Sequence, residues 1–375
     1  MVLWGMAKRI DYIANIRLPT EKAHGAQIIK MCEALSMAGA DVRLLVSNRA
    51  TPITEDAFTY YGVATAFPIE RIKVPNTVQY GMPGFVIQSL FFAIRSLRKI
   101  RRDALLYSRD DIVLGLLSYV TRQPIVWESH IGSWNFFSRR LVRRALRIVV
   151  ISEGIRDLYL RNGVDPHKLV VAHDGIDLTT FMRAETKEVA RARLGLPQDK
   201  RIVMYVGRVD GWKGTSTLLE ASKHLNSTTL VVIVGGEPHQ VEALRKVFPR
   251  VLFVGYRPYR ELADNLAAAD VVVLPNTAQD KISSHFTSPL KLFGYMASGK
   301  PMVATDLPSL REVVPETEAY IVAPDSPIAL AAGIRDALVD ASGSARRAQA
   351  ALTRVDKYTW DMRAKTILNA LSHEY

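Results

Sequence analysis

Short apolar runs recur along the chain, separated by stretches in which apolar residues return every three or four positions. In the first half the runs are RIDYIANI (9–16), DVRLLVS (41–47), LLYSR (105–109), PIVWES (124–129) and RIVVIS (147–152). Between the first two, Ile28, Met31, Cys32, Leu35 and Ala38 form a stripe that stops at Gly39, the spacing of a helix with a glycine at its end. After a polar stretch at 183–200 the pattern restarts with runs at 201–207, 229–236, 251–255, 270–276, 301–306 and 319–324. Helical spacing fills 215–225, 239–247, 259–268, 289–298, 308–313 and 327–340. Near-continuous apolar strands alternating with helices predict parallel sheets covered on both faces. We therefore expect an α/β chain with two doubly wound domains, 1–178 and 179–356, and a terminal helix at 357–375. Ligands of such sheets bind at the carboxyl ends of the strands, here in a central cleft between the halves.

Composition narrows the class. At 375 residues, with 48% hydrophobic and 23% charged residues, the chain has material for real cores, which excludes a disordered or collagen-like protein. Cys32 is the only cysteine, so no intrachain disulfide can form and a reducing compartment fits. The longest apolar run, 85–94, falls short of the roughly 20 residues of a spanning helix. The start MVLWGMAKRIDYI shows neither the apolar region nor the cleavage site of a leader. These observations predict a cytoplasmic protein.

The net charge of +12 is uneven, with 24 Lys and Arg against 15 Asp and Glu over 1–175, and 25 against 22 thereafter. Two cationic runs supply much of the excess: Arg95, Arg98, Lys99, Arg101 and Arg102, then Arg139, Arg140, Arg143, Arg144 and Arg147. Each follows apolar residues, including Leu90, Phe91 and Ile94 in the first case and Trp134, Phe136 and Phe137 in the second. Such pairing suits a solvated helix face or peripheral contact with the inner face of an anionic membrane. No finger, aromatic nucleic-acid motif or zipper accompanies the runs, so no nucleic-acid partner is expected.

The segment YVGRVDGWKG (205–214) carries the clearest chemistry. A strand ends at Gly207, and Arg208 and Lys213 follow before a helix begins near Thr215. A glycine there lets a ligand approach the backbone, and two cations on the loop suit a diphosphate. Neither a Gly-x-Gly-x-x-Gly fingerprint nor a Gly-Lys-Ser/Thr loop is present, which argues against a nicotinamide-dependent dehydrogenase and a P-loop enzyme.

Gly207-Arg208 with Lys213-Gly214 resembles the G-R-x-x-x-x-K-G loop of glycosyltransferase family 4. Further likenesses follow in the family's order: LPTEKAHGAQIIKMCEAL (18–35), SEGIRDLYLRNGVDPHKLVVAHDGIDLTTF (152–181), FVGYRPYRELADNLAAADVVVLPN (253–276) and SPLKLFGYMASGKPMVATDLPSLREVV (288–314). The resemblance implies a GT-B fold of two Rossmann-like domains, the first binding the acceptor and the second the donor. The terminal helix would pack back on the first. It implies a retaining hexosyltransferase that needs a nucleotide-sugar co-substrate, no metal and no other cofactor. Arg208 and Lys213 would hold the donor diphosphate and stabilise the leaving group, with His130 at the sugar. Gly25, Gly207, Tyr256, Arg257, Ser288, Pro289, Leu290, Lys291 and Gly294 would form the donor side. His24, Arg109 and Glu128 would lie on the acceptor side, with Glu128 either facing the cleft or positioning a loop. The acceptor would be a glycan, a lipid-linked molecule or a small molecule.

The chain departs from the family where two glutamates usually stand in the donor motif, carrying Phe286 and Gly294 instead. Losing one charge-assisted contact costs on the order of 1.5–3 kcal/mol, which weakens an enzyme without abolishing its chemistry. The alternative reading is a weak or inactive GT-B protein that binds a nucleotide sugar or scaffolds glycan assembly.

Overall fold

The structure, a computed structural model, describes residues 8–372. Residues 1–7, part of the start on which the expectation about a leader rests, lie outside the described residues. The chain forms two compact units, Met1–His173 with Trp360–Tyr375, and Asp174–Thr359.

The first unit is built on seven parallel strands: β1 (Arg9–Ala14), β2 (Asp41–Ser47), β3 (Ile69–Ile72), β4 (Leu105–Ser108), β5 (Ile125–Ser129), β6 (Arg147–Val150) and β7 (Leu169–Val171). They lie in the order β3-β2-β1-β4-β5-β6-β7. The order reverses beside β1, which pairs with both β2 and β4, so the adjoining loops open a crevice at the strands' carboxyl ends. Ile10, Tyr12, Leu106, Tyr107, Val126 and Trp127 are buried in these strands. The Trp360–Ala370 helix packs against the Ala23–Met37 helix, so the chain's last described helix belongs to this first unit.

Several members of the cationic runs prove structural, Arg101 and Arg147 among them. Arg101 donates from Nε to Asp11 Oδ1 at 2.9 Å and from Nη1 to Asp41 Oδ2 at 2.8 Å. Arg147 is buried in β6 and donates to the Ala370 carbonyl at 3.0 Å.

The second unit carries six parallel strands, β8 (Arg201–Val206), β9 (Thr229–Val234), β10 (Val251–Gly255), β11 (Val271–Leu274), β12 (Met302–Thr305) and β13 (Tyr320–Val322), ordered β10-β9-β8-β11-β12-β13. Ile202 and Met204 enter one apolar cluster while Val203 and Tyr205 enter another, as the two-residue strand period requires. Both faces are thus covered. Among the described residues no helix is long and apolar enough to cross a membrane.

Asp270, one residue before β11, ties the strand ends together. It accepts from the Ile202 N–H at 2.7 Å and from Arg191 Nη2 at 2.7 Å, and pairs with Lys187. Burial alone would raise its pKa, but the bonds from Lys187 and Ile202 and the Arg191 charge hold it below the ordinary aspartate value. A depressed carboxylate pKa stabilises the fold above the unfolded value and ceases to do so as pH falls through the folded one. Asp270→Asn should cost about 3 kcal/mol at neutral pH, and the gap to wild type should close below about pH 4. Denaturation curves that differ equally at all pH values would contradict this account.

Candidate functional site

In the second unit the chain leaves β8 at Gly207, whose φ is 143° and whose N–H donates to the Val234 carbonyl at 2.9 Å. A side chain here would come within 2.8 Å of Lys291 Nζ, so glycine is what lets that amine lie against the backbone. Gly214, at φ 68°, brings the end of the loop so close to β11 that a Cβ would sit 1.8 Å from the Pro275 carbonyl oxygen. Between the two glycines the loop displays its charges. Arg208 is exposed and pairs with Asp210 at 2.7 Å, while Lys213 Nζ stands 3.3 Å from the centroid of the Trp212 ring. Lys291 Nζ donates to the Tyr205 hydroxyl at 2.6 Å, and that hydroxyl donates to the Arg208 carbonyl at 2.8 Å.

This group holds more positive than negative charge. Burial lowers the Lys213 pKa to about 8, with Asp210 opposing and Arg208 reinforcing the shift. Burial and then the Lys213 charge push Lys291 well below the ordinary lysine value. Two buried amines held below the ordinary lysine value, with Asp210 as their carboxylate neighbour, would be relieved by a bound polyanion. Arg208 and Lys213 sit together as the sequence predicts, joined by Lys291.

The rest of the expected donor side is more dispersed. Leu290 begins the Leu290–Ala297 helix and buried Pro289 precedes it. Ser288 is also buried, its Oγ accepting from the Asp174 N–H at 3.0 Å. Tyr256 and Arg257 are exposed in the loop after β10. Gly294 lies within the Leu290–Ala297 helix. A Cβ there would lie 2.9 Å from Leu262 Cδ2 and 3.7 Å from Leu266 Cδ1, on the apolar contact with the Leu262–Ala267 helix. A larger side chain there would have to displace the end of the Leu262 side chain. Gly294→Glu should therefore destabilise the protein by about 2–3 kcal/mol, the cost of burying a polar group without a partner. A variant of wild-type stability that binds nucleotide more tightly would show that the space is open.

In the first unit the expected residues gather at the carboxyl ends of β1, β4 and β5. Gly25 lies in the first turn of the Ala23–Met37 helix, where a Cβ would clash with the Tyr61 hydroxyl at 2.1 Å. That hydroxyl accepts from the Thr20 N–H and donates to the Thr20 carbonyl, bracing the loop after β1. His24 beside it is held neutral: burial, then the charges of Arg109, Lys22, His130 and Arg49, lower its pKa to about 3.

Glu128 is fully buried and accepts from Gln27 Nε2 at 2.6 Å, from the Tyr107 hydroxyl and from His130 Nε2. Arg363 closes the shell, with Nη2 3.2 Å from Oε1 and Nη1 3.4 Å from Oε2. Burial would raise this carboxyl's pKa, but Arg363, His130 and Tyr107 together hold it well below the usual range. Glu128 is thus an ionised anchor for His130. Arg109 joins the network by donating to Gln27 Oε1 at 2.9 Å.

Sequence reasoning missed Gln27, Tyr107, Arg363 and Asp210. Asp210 stood inside the segment singled out, and Gln27 interrupts the apolar helix stripe one turn after His24. Arg363 is 235 positions from its partner, and no local pattern reports it. Arg363→Met should cost about 3–5 kcal/mol because it strands a buried charge. Adding Glu128→Gln should recover part of that loss, and a double variant as unstable as the sum of both singles would refute the coupling.

Comparison with known proteins places this geometry. Residues 25–180 match the model described as Glycosyltransferase Family 4, and residues 200–340 match Glycosyl transferases group 1. A D-inositol 3-phosphate glycosyltransferase of Xylanimonas cellulosilytica is 32% identical over 237 residues, 58% of this chain and 54% of that protein. The chain spans about half the length of the curated relatives it matches. HepE of Anabaena, solved with UDP-glucose, superposes with a TM-score of 0.76 at 16% identity, covering 97% of this chain and 99% of that one. Sucrose-phosphate synthase from Thermosynechococcus elongatus gives 0.73 at 21% identity, with 98% of both chains covered. The two sheets have the GT-B arrangement of strands, the two models between them take in most of the sequence, and the chain belongs to the family 4 glycosyltransferases.

Proposed function

We propose that the protein transfers a hexose from a nucleotide-sugar donor to an acceptor held by the first unit, with retention of configuration and without a metal ion. The observation that carries this reading is the convergence of Arg208, Lys213 and Lys291 around Gly207 with Asp210 as their carboxylate neighbour. Transfer leaves a nucleoside diphosphate whose negative charge grows as the glycosidic bond breaks. Fixed cations aimed at that charge lower the barrier, the work a divalent ion performs in other transferases. The glycine turns at 207 and 214 leave backbone close at hand for the phosphates. In the first unit, the ionised Glu128 fixes His130 Nε2 and so orients the imidazole.

The comparisons support the donor class, since HepE of Anabaena was solved with UDP-glucose. The name of the inositol phosphate relative supports a hydroxyl-bearing small molecule within the acceptor class, which also includes glycans and lipid-linked molecules. A second reading, a nucleotide-sugar-binding protein without turnover, has Phe286 and Gly294 on its side, because the family usually carries glutamates at those positions.

Lys213→Ala or Arg208→Ala should lower donor turnover by more than about tenfold, the scale of one lost charge-stabilising group. Activity should survive EDTA, and donor affinity should weaken as pH rises through about 8, where Lys213 loses its proton. Activity lost in EDTA and restored by magnesium or manganese would remove these side chains from the metal's role. Binding of donor without any hydrolysis or transfer would favour the second reading.

A further inference from the structure

The Gly81–Leu97 helix is turned the wrong way round for water. Its buried side is Gly84, Gln88, Ser89 and Ser96 with Phe92 and Ala93. Its outer side presents Met82, Val86, Ile87, Leu90, Phe91, Ile94 and Leu97, each 36–70% exposed. An amphipathic helix on a globular protein normally buries the apolar stripe. The orientation here is pinned by polar contacts. Gln88 Nε2 donates to the Pro75 carbonyl at 3.1 Å, Asn15 Nδ2 donates to Ser89 Oγ at 3.1 Å, and Thr77 Oγ1 donates to the Gly84 carbonyl at 2.7 Å. A Cβ on Gly84 would lie 1.8 Å from the Thr77 oxygen, so the helix rests directly on that loop.

Apolar exposure continues on the neighbouring helices. The Asp111–Val120 helix packs alongside and ends in exposed Tyr119 and Val120, and the Phe136–Arg144 helix packs against it and begins with exposed Phe136. Tyr119 and Phe136 stack with ring centroids 6.4 Å apart. Cations border these residues. Arg98, Arg102, Arg139 and Arg143 are exposed and make no ion pair among the described residues. Lys99 is exposed as well but pairs with Glu70 at 2.8 Å. Neither the 81–97 helix nor the 136–144 helix contains an acidic residue. Arg139 and Arg143 also line a hollow of about 580 Å³ with Trp134, Lys168 and one carboxylate, Asp165, so that cations outnumber acids in its wall.

We propose that these three helices dock on an anionic lipid bilayer, with the 81–97 helix lying flat at the interface. An apolar strip about 25 Å long matches the acyl boundary, and the flanking arginines match headgroup phosphates. A second copy of this chain is a poor occupant, because it would set the same unpaired arginines against one another. The docking goes beyond the transfer chemistry and does not depend on it; combined with that chemistry, it selects the lipid-linked member of the acceptor class.

The test is flotation of the full chain with phosphatidylglycerol-containing vesicles and with phosphatidylcholine vesicles, each at low and high salt. Wild type should float with the anionic vesicles at low salt and lose at least about tenfold in partitioning at high salt or on neutral vesicles. Leu90→Ser with Phe91→Ser and Ile94→Ser, all exposed positions, should abolish flotation while leaving donor hydrolysis at the wild-type level. Because Cys32 is buried, Leu90→Cys can be labelled selectively with an environment-sensitive dye, and its emission should shift to the blue on anionic vesicles. Wild type that stays soluble under every condition overturns the proposal. So does flotation undiminished in the serine variant, or a dimer in solution that the serine variant dissociates while neither protein floats.

Discussion

A carboxylate sealed from water keeps its charge only while donors and opposite charge enclose it, and Glu128 imposes that condition on the first unit. Its shell is drawn from separate parts of the chain: Tyr107 from β4, His130 after β5, Gln27 from the first helix and Arg363 from the last described helix. Each contact also holds something else. Gln27 carries Arg109, and Arg363 Nε donates to the His173 carbonyl at 2.9 Å, at the end of the unit's first segment. One ionised group therefore relates the middle of the sheet, two helices and a chain crossing. Its energetic weight comes from the absence of water, since the same pair on the surface would contribute little.

The second unit uses charge in the opposite sense. Around Glu128 the charges are matched, whereas around Gly207 they are left in surplus. Lys291 is held where burial and the Lys213 charge make it hard to protonate. Such an arrangement costs stability in the empty protein and favours whatever anion enters. Preorganisation of this kind is the usual source of electrostatic catalysis, because the dipoles and charges need not rearrange when the reaction begins.

The central architecture was legible because central parallel strands are apolar on both faces, and all eleven runs read as strands do form strands. The two strands that escaped notice, β3 and β7, are the edges of the first sheet, where IERI is interrupted by two charges and LVV is only three residues long. The loop at 205–214 was legible because its glycines and cations are neighbours in sequence. The Glu128 shell was not, since sequence distance hides a contact between residues 128 and 363. Orientation was the other hidden quantity. Leu90, Phe91 and Ile94 read equally well as core or as surface, and only the buried Gln88 and Ser89 beneath them decide which. Gly294 shows the converse, a position visible in the sequence whose contact with the Leu262–Ala267 helix is not.

The chain enters the second unit at Asp174 and leaves it at Thr359, so that unit is an insertion within the first. Ile176 donates to the Tyr358 carbonyl at 2.9 Å, which clasps the entering and leaving strands of chain together. Protein synthesis runs in one direction, and domains tend to fold as units while the chain emerges. Once residue 359 has been made, the inserted unit has its whole sheet and its closing clasp. The first unit, though all seven of its strands were made long before, still lacks the guanidinium that neutralises Glu128. The half of the protein translated first thus depends on the last described helix to complete the shell of its own interior.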